Sequence, residues 1–207
     1  MNKKKISVSL RSMCYGWDCK NVITEFDFLT KEECYRLRDD ADEKFNEFVK
    51  PGFGYKTNDT VDDISEYQID YSFDEFKNIL GEKADTIFDL PQKLGFSKKD
   101  EFYLFHDDYG KYKDNIIIRR YREGERTSLD WHMDMPQISY VTINVCLSDP
   151  STEYKGGELL VDLDNKKVKA MNRKMGIATI HRYDVLHRVS EVEEGTRYSL
   201  IIFMKKR

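Results

Sequence analysis

Residues 115–147, NIIIRRYREGERTSLDWHMDMPQISYVTINVCL, decide how this chain folds. Asn115–Tyr121 is a short run rich in β-branched residues, and the charged, Gly-containing Arg122–Glu125 that follows is a turn. Tyr140–Leu147 is a second run of the same kind. Both are bounded by turn signals and too short for a free-standing helix, so both read as strands. The texture continues on either side. Glu101–Phe105 comes before, and Glu158–Asp162, Lys166–Ala170, Gly176–His181 and Thr196–Met204 come after, separated by turns. Strands at this spacing build a β-sandwich or barrel.

Upstream of residue 101 helical periods enter. Val22–Leu29 alternates apolar and polar residues as a half-buried strand does. Thr30 and Glu33 then form a capping box for a helix carrying Cys34, Leu37, Ala41, Phe45 and Phe48, which Pro51-Gly52 stops. Ser72 caps a second amphipathic stretch with Phe73, Phe76, Leu80, Ala84, Ile87 and Phe88, ending around Pro91 and Gly95. Between the two, residues 52–72 are acidic and aromatic, with Asp59, Asp62, Asp63, Glu66 and Asp70. They read as a solvated loop, with a substrate-covering lid as the alternative. The fold expected is mainly β with flanking helices (α+β). A jelly-roll core, or double-stranded β-helix, occupies 101–207, support from 22–100 packs outside it, and 1–207 form one domain.

Composition excludes several classes. Aromatics at 13% give the 207 residues material for a core, and 11 Gly with 4 Pro leave no long flexible linker. No stretch approaches eighteen apolar residues, so no membrane span is expected. The segment after Lys3–Lys5 is too short and polar for a secretory core, which points to a cytoplasmic protein. A net charge of −4 gives no general attraction for phosphate backbones. The basic ends, Lys3–Lys5 and Lys205–Arg207, therefore read as solubilising rather than as a nucleic-acid patch. Cys14, Cys19, Cys34 and Cys146 show no CxxC spacing and are expected as reduced thiols, Cys34 and Cys146 in the core. Nothing in the sequence fixes the oligomeric state.

The chemistry lies in the last eighty residues. His132-Met133-Asp134 sets an imidazole and a carboxylate two positions apart. On extended chain such residues share a face about 6.5–7 Å apart at Cα, near enough to chelate one metal. A distant third ligand completes a two-His, one-carboxylate face with open positions, the arrangement of non-haem Fe(II) oxygenases. His106-Asp107-Asp108 repeats the pattern in a polar, Gly-ended stretch, whereas His132 lies between two strand runs that hold it more rigidly. His187, in Leu186-His187-Arg188-Val189, is the candidate third ligand, and a hairpin through Glu193-Glu194-Gly195 would bring Arg197 back beside it. Arg197 stands on an otherwise mostly apolar strand and needs an anion. On the residues alone, Glu191 or Glu193 serves as well as a ligand carboxylate.

Six motifs occur in order: Tyr121-x-x-Gly124, His132-x-Asp134, Thr142-x-Asn144, Gly156-Gly157-Glu158-Leu159, His187-x-Val189 and Gly195-x-Arg197-Tyr198. Together they resemble the Fe(II)- and 2-oxoglutarate-dependent dioxygenases, most of all the prolyl and lysyl hydroxylase branch. The resemblance covers about residues 22–207 and is strongest from 115 onward. It implies that His132, Asp134 and His187 ligate Fe(II) and carry catalysis. Arg197 would pair with the far carboxylate of 2-oxoglutarate, and Tyr121, Thr142 and Asn144 would face the cosubstrate. Gly156-Gly157 would mark a bend, and His181 would stand beside the site rather than in it. That branch often has Lys where Arg197 stands; Arg keeps the charge.

The reaction implied is hydroxylation of an unactivated C–H bond with 2-oxoglutarate and O2 as cosubstrates, ascorbate as a stimulant, and succinate and CO2 released. The carboxylate at 134 blocks the position that related halogenases leave to chloride. The expected substrate is a peptidyl Pro or Lys side chain, and the alternative is a free amino acid or other small metabolite. From other classes stand a metal-binding jelly-roll scaffold without turnover and a zinc hydrolase, in which Arg197 would lack a partner.

Overall fold

The computed structural model describes residues 23–48, 68–97, 101–104, 116–162 and 168–207. The His106 motif, Cys14 and Cys19, and the acidic residues Asp59, Asp62, Asp63 and Glu66 lie outside them. Strands β1 (Ile23–Asp27), β2 (Gln68–Tyr71), β3 (Phe102–Leu104), β4 (Ile116–Arg122), β6 (Val141–Cys146), β7 (Tyr154–Gly156), β10 (Ile177–Arg182) and β12 (Val192–Lys206) form the larger sheet. Its spine runs β1-β10-β6-β12-β4-β2, with β3 and β7 paired to β12. Strands β5 (Leu129–His132), β8 (Leu159–Asp162), β9 (Val168–Ala170) and β11 (Leu186–Val189) form a second sheet in the order β5-β11-β8-β9. Every strand pairing is antiparallel. This is the jelly-roll core expected from the spacing of the runs.

The larger sheet is buried on both faces, which is why β4, β6 and β10 are buried almost throughout. One set of alternate residues packs under the helices: Ile116 and Ile118; Val141, Ile143 and Val145; Ala178 and Ile180; Tyr198, Leu200, Ile202 and Met204. Helix α1 (Lys31–Phe48) brings Cys34, Leu37, Ala41 and Phe45 to that core, and α2 (Phe73–Leu80) brings Phe76 and Leu80. Each buried leucine or phenylalanine among them stabilises by about 1.5–3 kcal/mol relative to exposure. The opposite face meets the second sheet across a smaller core that includes Tyr121, Cys146 and Tyr154 from one side and Leu159, Val161 and Val189 from the other.

Both capping boxes form. Thr30 Oγ1 accepts from the Glu33 amide at 3.1 Å while Glu33 Oε2 accepts from the Thr30 amide at 2.7 Å. Ser72 and Glu75 exchange the same bonds at 3.2 and 2.8 Å. The second amphipathic stretch differs from a single helix. It breaks at Gly81, whose φ of +62° an L-residue rarely adopts. It continues to Leu94 as 3-10 turns. Buried Ala84, Ile87 and Leu90 are spaced by three, the period of those turns.

Within residues 52–72, expected as loop, Gln68–Tyr71 form β2 against β4. The correction has a simple cause. Ile69 and Tyr71 enter the core while Gln68 answers Arg119, so four residues alternate correctly but too briefly to stand out beside their acidic neighbours. Among the described residues no helix is long and apolar enough to cross a membrane.

Candidate metal centre and cosubstrate pocket

The strand alternation that turns apolar residues toward the helices turns polar ones toward the space between the sheets. Cross-strand register sorts them into rows. His181, Thr142 and Phe203 form one, and Thr179, Asn144 and Ile201 the next. Cys146, Ser199 and Arg119 follow, then Arg197 opposite Tyr121. The rows make a graded wall, with imidazole and hydroxyl at one end and guanidinium at the other.

At the imidazole end, the second sheet supplies two histidines as direct cross-strand partners, His132 on β5 and His187 on β11. Their rings lie 4.2 Å apart. Asp134 follows two residues beyond, just past the end of β5. One ligand atom from each of the three residues lies within 4.8 Å of the others. His132 Nδ1 donates to the Asp130 carbonyl at 2.7 Å, and His187 Nδ1 donates to the Val185 carbonyl at 2.9 Å. A carbonyl only accepts, so both Nδ1 atoms carry a proton, and Nε2 is the nitrogen each ring can offer a metal. Burial, then the neighbouring His181 and His132, push His187 down to about 3, so it is neutral and ready to ligate at physiological pH.

Asp134 is held from behind. Thr142 donates its hydroxyl to Asp134 Oδ2, and Ser139 and Thr142 hydroxyls lie 2.8 Å apart. Buried His181 stands 3.9 Å from the same carboxylate oxygen and 4.5 Å, ring to ring, from His187. Thr142 therefore supports the carboxylate. Thr142→Val keeps the shape and removes that donor. Metal affinity is expected to fall roughly 10–100-fold, as for other outer partners of ligating groups. A competition titration with a chelator measures it, and unchanged affinity would leave Asp134 positioned by the backbone alone.

At the other end the expected hairpin does not form. Strand β11 lies in the second sheet and β12 in the larger one, so the chain crosses between sheets after Val189. Neither Glu191 nor Glu193 pairs with Arg197. Its side chain is 0% exposed, and Nε, Nη1 and Nη2 are all buried without a hydrogen-bond partner. Its guanidinium carbon stands 4.7 Å from the centre of the Tyr121 ring. Gly157, at φ +65°, makes room for it: a Cβ there would come within 2.8 Å of Arg197 Cδ. The Gly156-Gly157 bend thus shapes this pocket as well as turning the chain. Asn144 Oδ1 accepts from Arg173 Nη1 at 3.3 Å. Arg173 had no sequence signal, since Asn172-Arg173-Lys174 reads as an ordinary polar connection.

Two imidazoles and one carboxylate with ligand atoms within 4.8 Å suit a divalent iron with open positions. A buried guanidinium with three orphaned nitrogens suits a carboxylate arriving from outside the chain. No functionally curated protein matches the sequence. Among solved structures, the prolyl-4-hydroxylase of Pseudomonas putida is 15% identical with a TM-score of 0.59, over 90% of this chain and 88% of that one. A prolyl hydroxylase from Trichoplax adhaerens, solved with a hypoxia inducible factor peptide fragment, is 14% identical with a TM-score of 0.63, over 89% and 83%. The viral collagen prolyl hydroxylase of Paramecium Bursaria Chlorella virus-1 is 16% identical with a TM-score of 0.56, over 89% and 95%. The family model of the 2OG-Fe(II) oxygenase superfamily matches residues 94–205. That span exceeds half the chain and takes in both histidines, the aspartate and the orphaned arginine, so the chain belongs to the 2OG-Fe(II) oxygenase superfamily.

Proposed function

We propose that this dioxygenase hydroxylates a peptidyl Pro or Lys side chain, with His132, Asp134 and His187 holding Fe(II) and Arg197 holding the far carboxylate of 2-oxoglutarate. The observation that carries the cosubstrate reading is Arg197, a wholly buried cation with no hydrogen-bond partner in the described chain. Fe(II) bound at the triad supplies oxidation coupled to conversion of 2-oxoglutarate and O2 into succinate and CO2. The protein's part is placement. Nδ1 of each ligating histidine stays protonated on a backbone carbonyl, which fixes both rings. Thr142 holds Asp134, and Arg197 sets the depth and direction of the keto acid. Residues 22–100 support this core, and all of 1–207 act as one domain.

A peptidyl substrate is supported by the likeness to the Trichoplax adhaerens prolyl hydroxylase, which was solved with a peptide fragment. Trp131 and Met133 alternate with the two ligands, so they stand on the outer face of the second sheet, where Arg188 lies over the Trp131 ring. The test has two stages. Fe(II) and then 2-oxoglutarate are added anaerobically to the metal-free protein, and visible absorption is read. Succinate release is then measured with Pro- and Lys-containing peptides and with the free amino acids. Absorption followed by peptide-stimulated succinate is the expected result. Stimulation by free amino acids alone would overturn the substrate class, and no absorption from folded protein would overturn the cosubstrate reading.

A further inference from the structure

Besides Arg197, and Arg119 which donates to Gln68, the inner wall carries a third arginine. Arg173, in the connection between β9 and β10, is 7% exposed. Its Nη1 donates to Asn144 Oδ1 at 3.3 Å and its Nη2 to Ser199 Oγ at 3.2 Å, while its Nε is buried without a partner. Both acceptors are neutral. Burial works against the charge, and the groups that favour it are Cys146, Tyr154 and Tyr121, none of them a carboxylate. Ser199 stands two residues beyond Arg197 on the same face of β12, about 7 Å along the strand. The two cations feel each other: burial first, and Arg173 second, push Arg197 below its ordinary range.

Two buried like charges raise each other's energy, and neither is neutralised by a carboxylate of the described chain. One carboxylate has two oxygens and about four lone-pair sites, enough to accept from two guanidinium forks at once. We propose that Arg173 is a second binding residue for the distal carboxylate of 2-oxoglutarate, so that Arg173 and Arg197 form a two-arginine clamp selecting dicarboxylate over monocarboxylate keto acids. Asn144 and Ser199 hold the Arg173 fork in place from β6 and β12. Cys146 and Tyr154 stand beside the Arg173 guanidinium. This inference rests on the cosubstrate reading above and assigns the pocket a residue that its strand pattern does not supply.

The probe pair is 2-oxoglutarate and 2-oxopentanoate, which share the keto acid end and differ in whether a carboxylate or a methyl group lies at the far end. Affinities of both are measured on the Fe(II)-loaded protein without O2. The wild type is expected to favour 2-oxoglutarate by at least about 100-fold. Arg173→Met is expected to weaken 2-oxoglutarate at least tenfold while 2-oxopentanoate stays within threefold, and Arg197→Met to do the same more strongly. Equal weakening of both ligands in Arg173→Met would make Arg173 a structural brace and overturn the clamp. So would unchanged affinities alongside a selective loss in Arg197→Met. If Arg173→Met fails to fold, Arg173→Gln removes the charge and keeps a polar amide donor at that position; an undiminished preference for 2-oxoglutarate in that variant overturns the proposal. Wild-type protein that binds neither keto acid overturns the cosubstrate reading itself, and the clamp with it.

Discussion

Asp134→Ala is expected to abolish Fe(II)-dependent 2-oxoglutarate consumption while leaving the protein folded. Asp134 offers the only anionic ligand in the cluster of three. Without it, two neutral imidazoles face a divalent cation, and charge compensation disappears along with one bond. Losing an outer partner such as Thr142 costs roughly 10–100-fold, so losing the ligand that Thr142 orients is expected to exceed about 100-fold in metal affinity. Folding is spared because Asp134 lies past the end of β5 and outside both apolar clusters. His132→Ala and His187→Ala are expected to give the same loss, since each removes one half of a directly opposed pair. His106→Ala is expected to retain turnover. Metal content by elemental analysis, succinate release and a thermal melt measure the three parts. Retained turnover in Asp134→Ala with loss in His106→Ala would move the metal to the other His-x-Asp motif.

The strands that hold the site were legible because β-branched runs and turns punctuate the chain after residue 101, and because β6 alternates in its side chains. Val141, Ile143 and Val145 serve the helix side while Thr142, Asn144 and Cys146 serve the interior, so a polar residue within an apolar run was itself the signal of an inward-facing pocket. His132-x-Asp134 was legible for a similar reason, as two ligand types at the two-residue period of extended chain. What stayed hidden depends on which sheet a strand joins. His187 and Arg197 are ten residues apart, and local turn chemistry between them suits a hairpin. The chain instead gives β11 to β5 and β8 and gives β12 to β4 and β6, a choice made by long-range pairing. Arg173 was hidden because only the closed barrel buries it. β2 was hidden because four alternating residues carry too little pattern against an acidic surrounding.

Arg197→Met is expected to move function and stability in opposite directions. In the ligand-free protein Arg197 is a fully buried guanidinium without a hydrogen bond, and burial with the nearby Arg173 disfavours its charge. Exchanging buried ionic groups for apolar side chains of similar size is often neutral or stabilising by about 1–4 kcal/mol. Loss of the stacking on Tyr121 offsets about 0.5–2 kcal/mol of that. A net gain of about 1–2 kcal/mol raises Tm by roughly 2–8 °C at this chain length. Methionine follows the arginine stem past Gly157, so the bend need not shift. The same substitution removes the fork that a carboxylate would meet, and the 2-oxoglutarate requirement is expected to rise at least about 100-fold with little change in the rate at saturation. Ligand-dependent melting joins the two effects. At 100 times its Kd a ligand stabilises by about 2.7 kcal/mol, so Fe(II)-loaded wild-type protein gains Tm with 2-oxoglutarate and Arg197→Met does not. A variant that melts earlier than wild type and keeps the wild-type 2-oxoglutarate requirement would make Arg197 a structural residue. The opposite pair of results identifies a charge kept buried at a cost to stability because a ligand answers it.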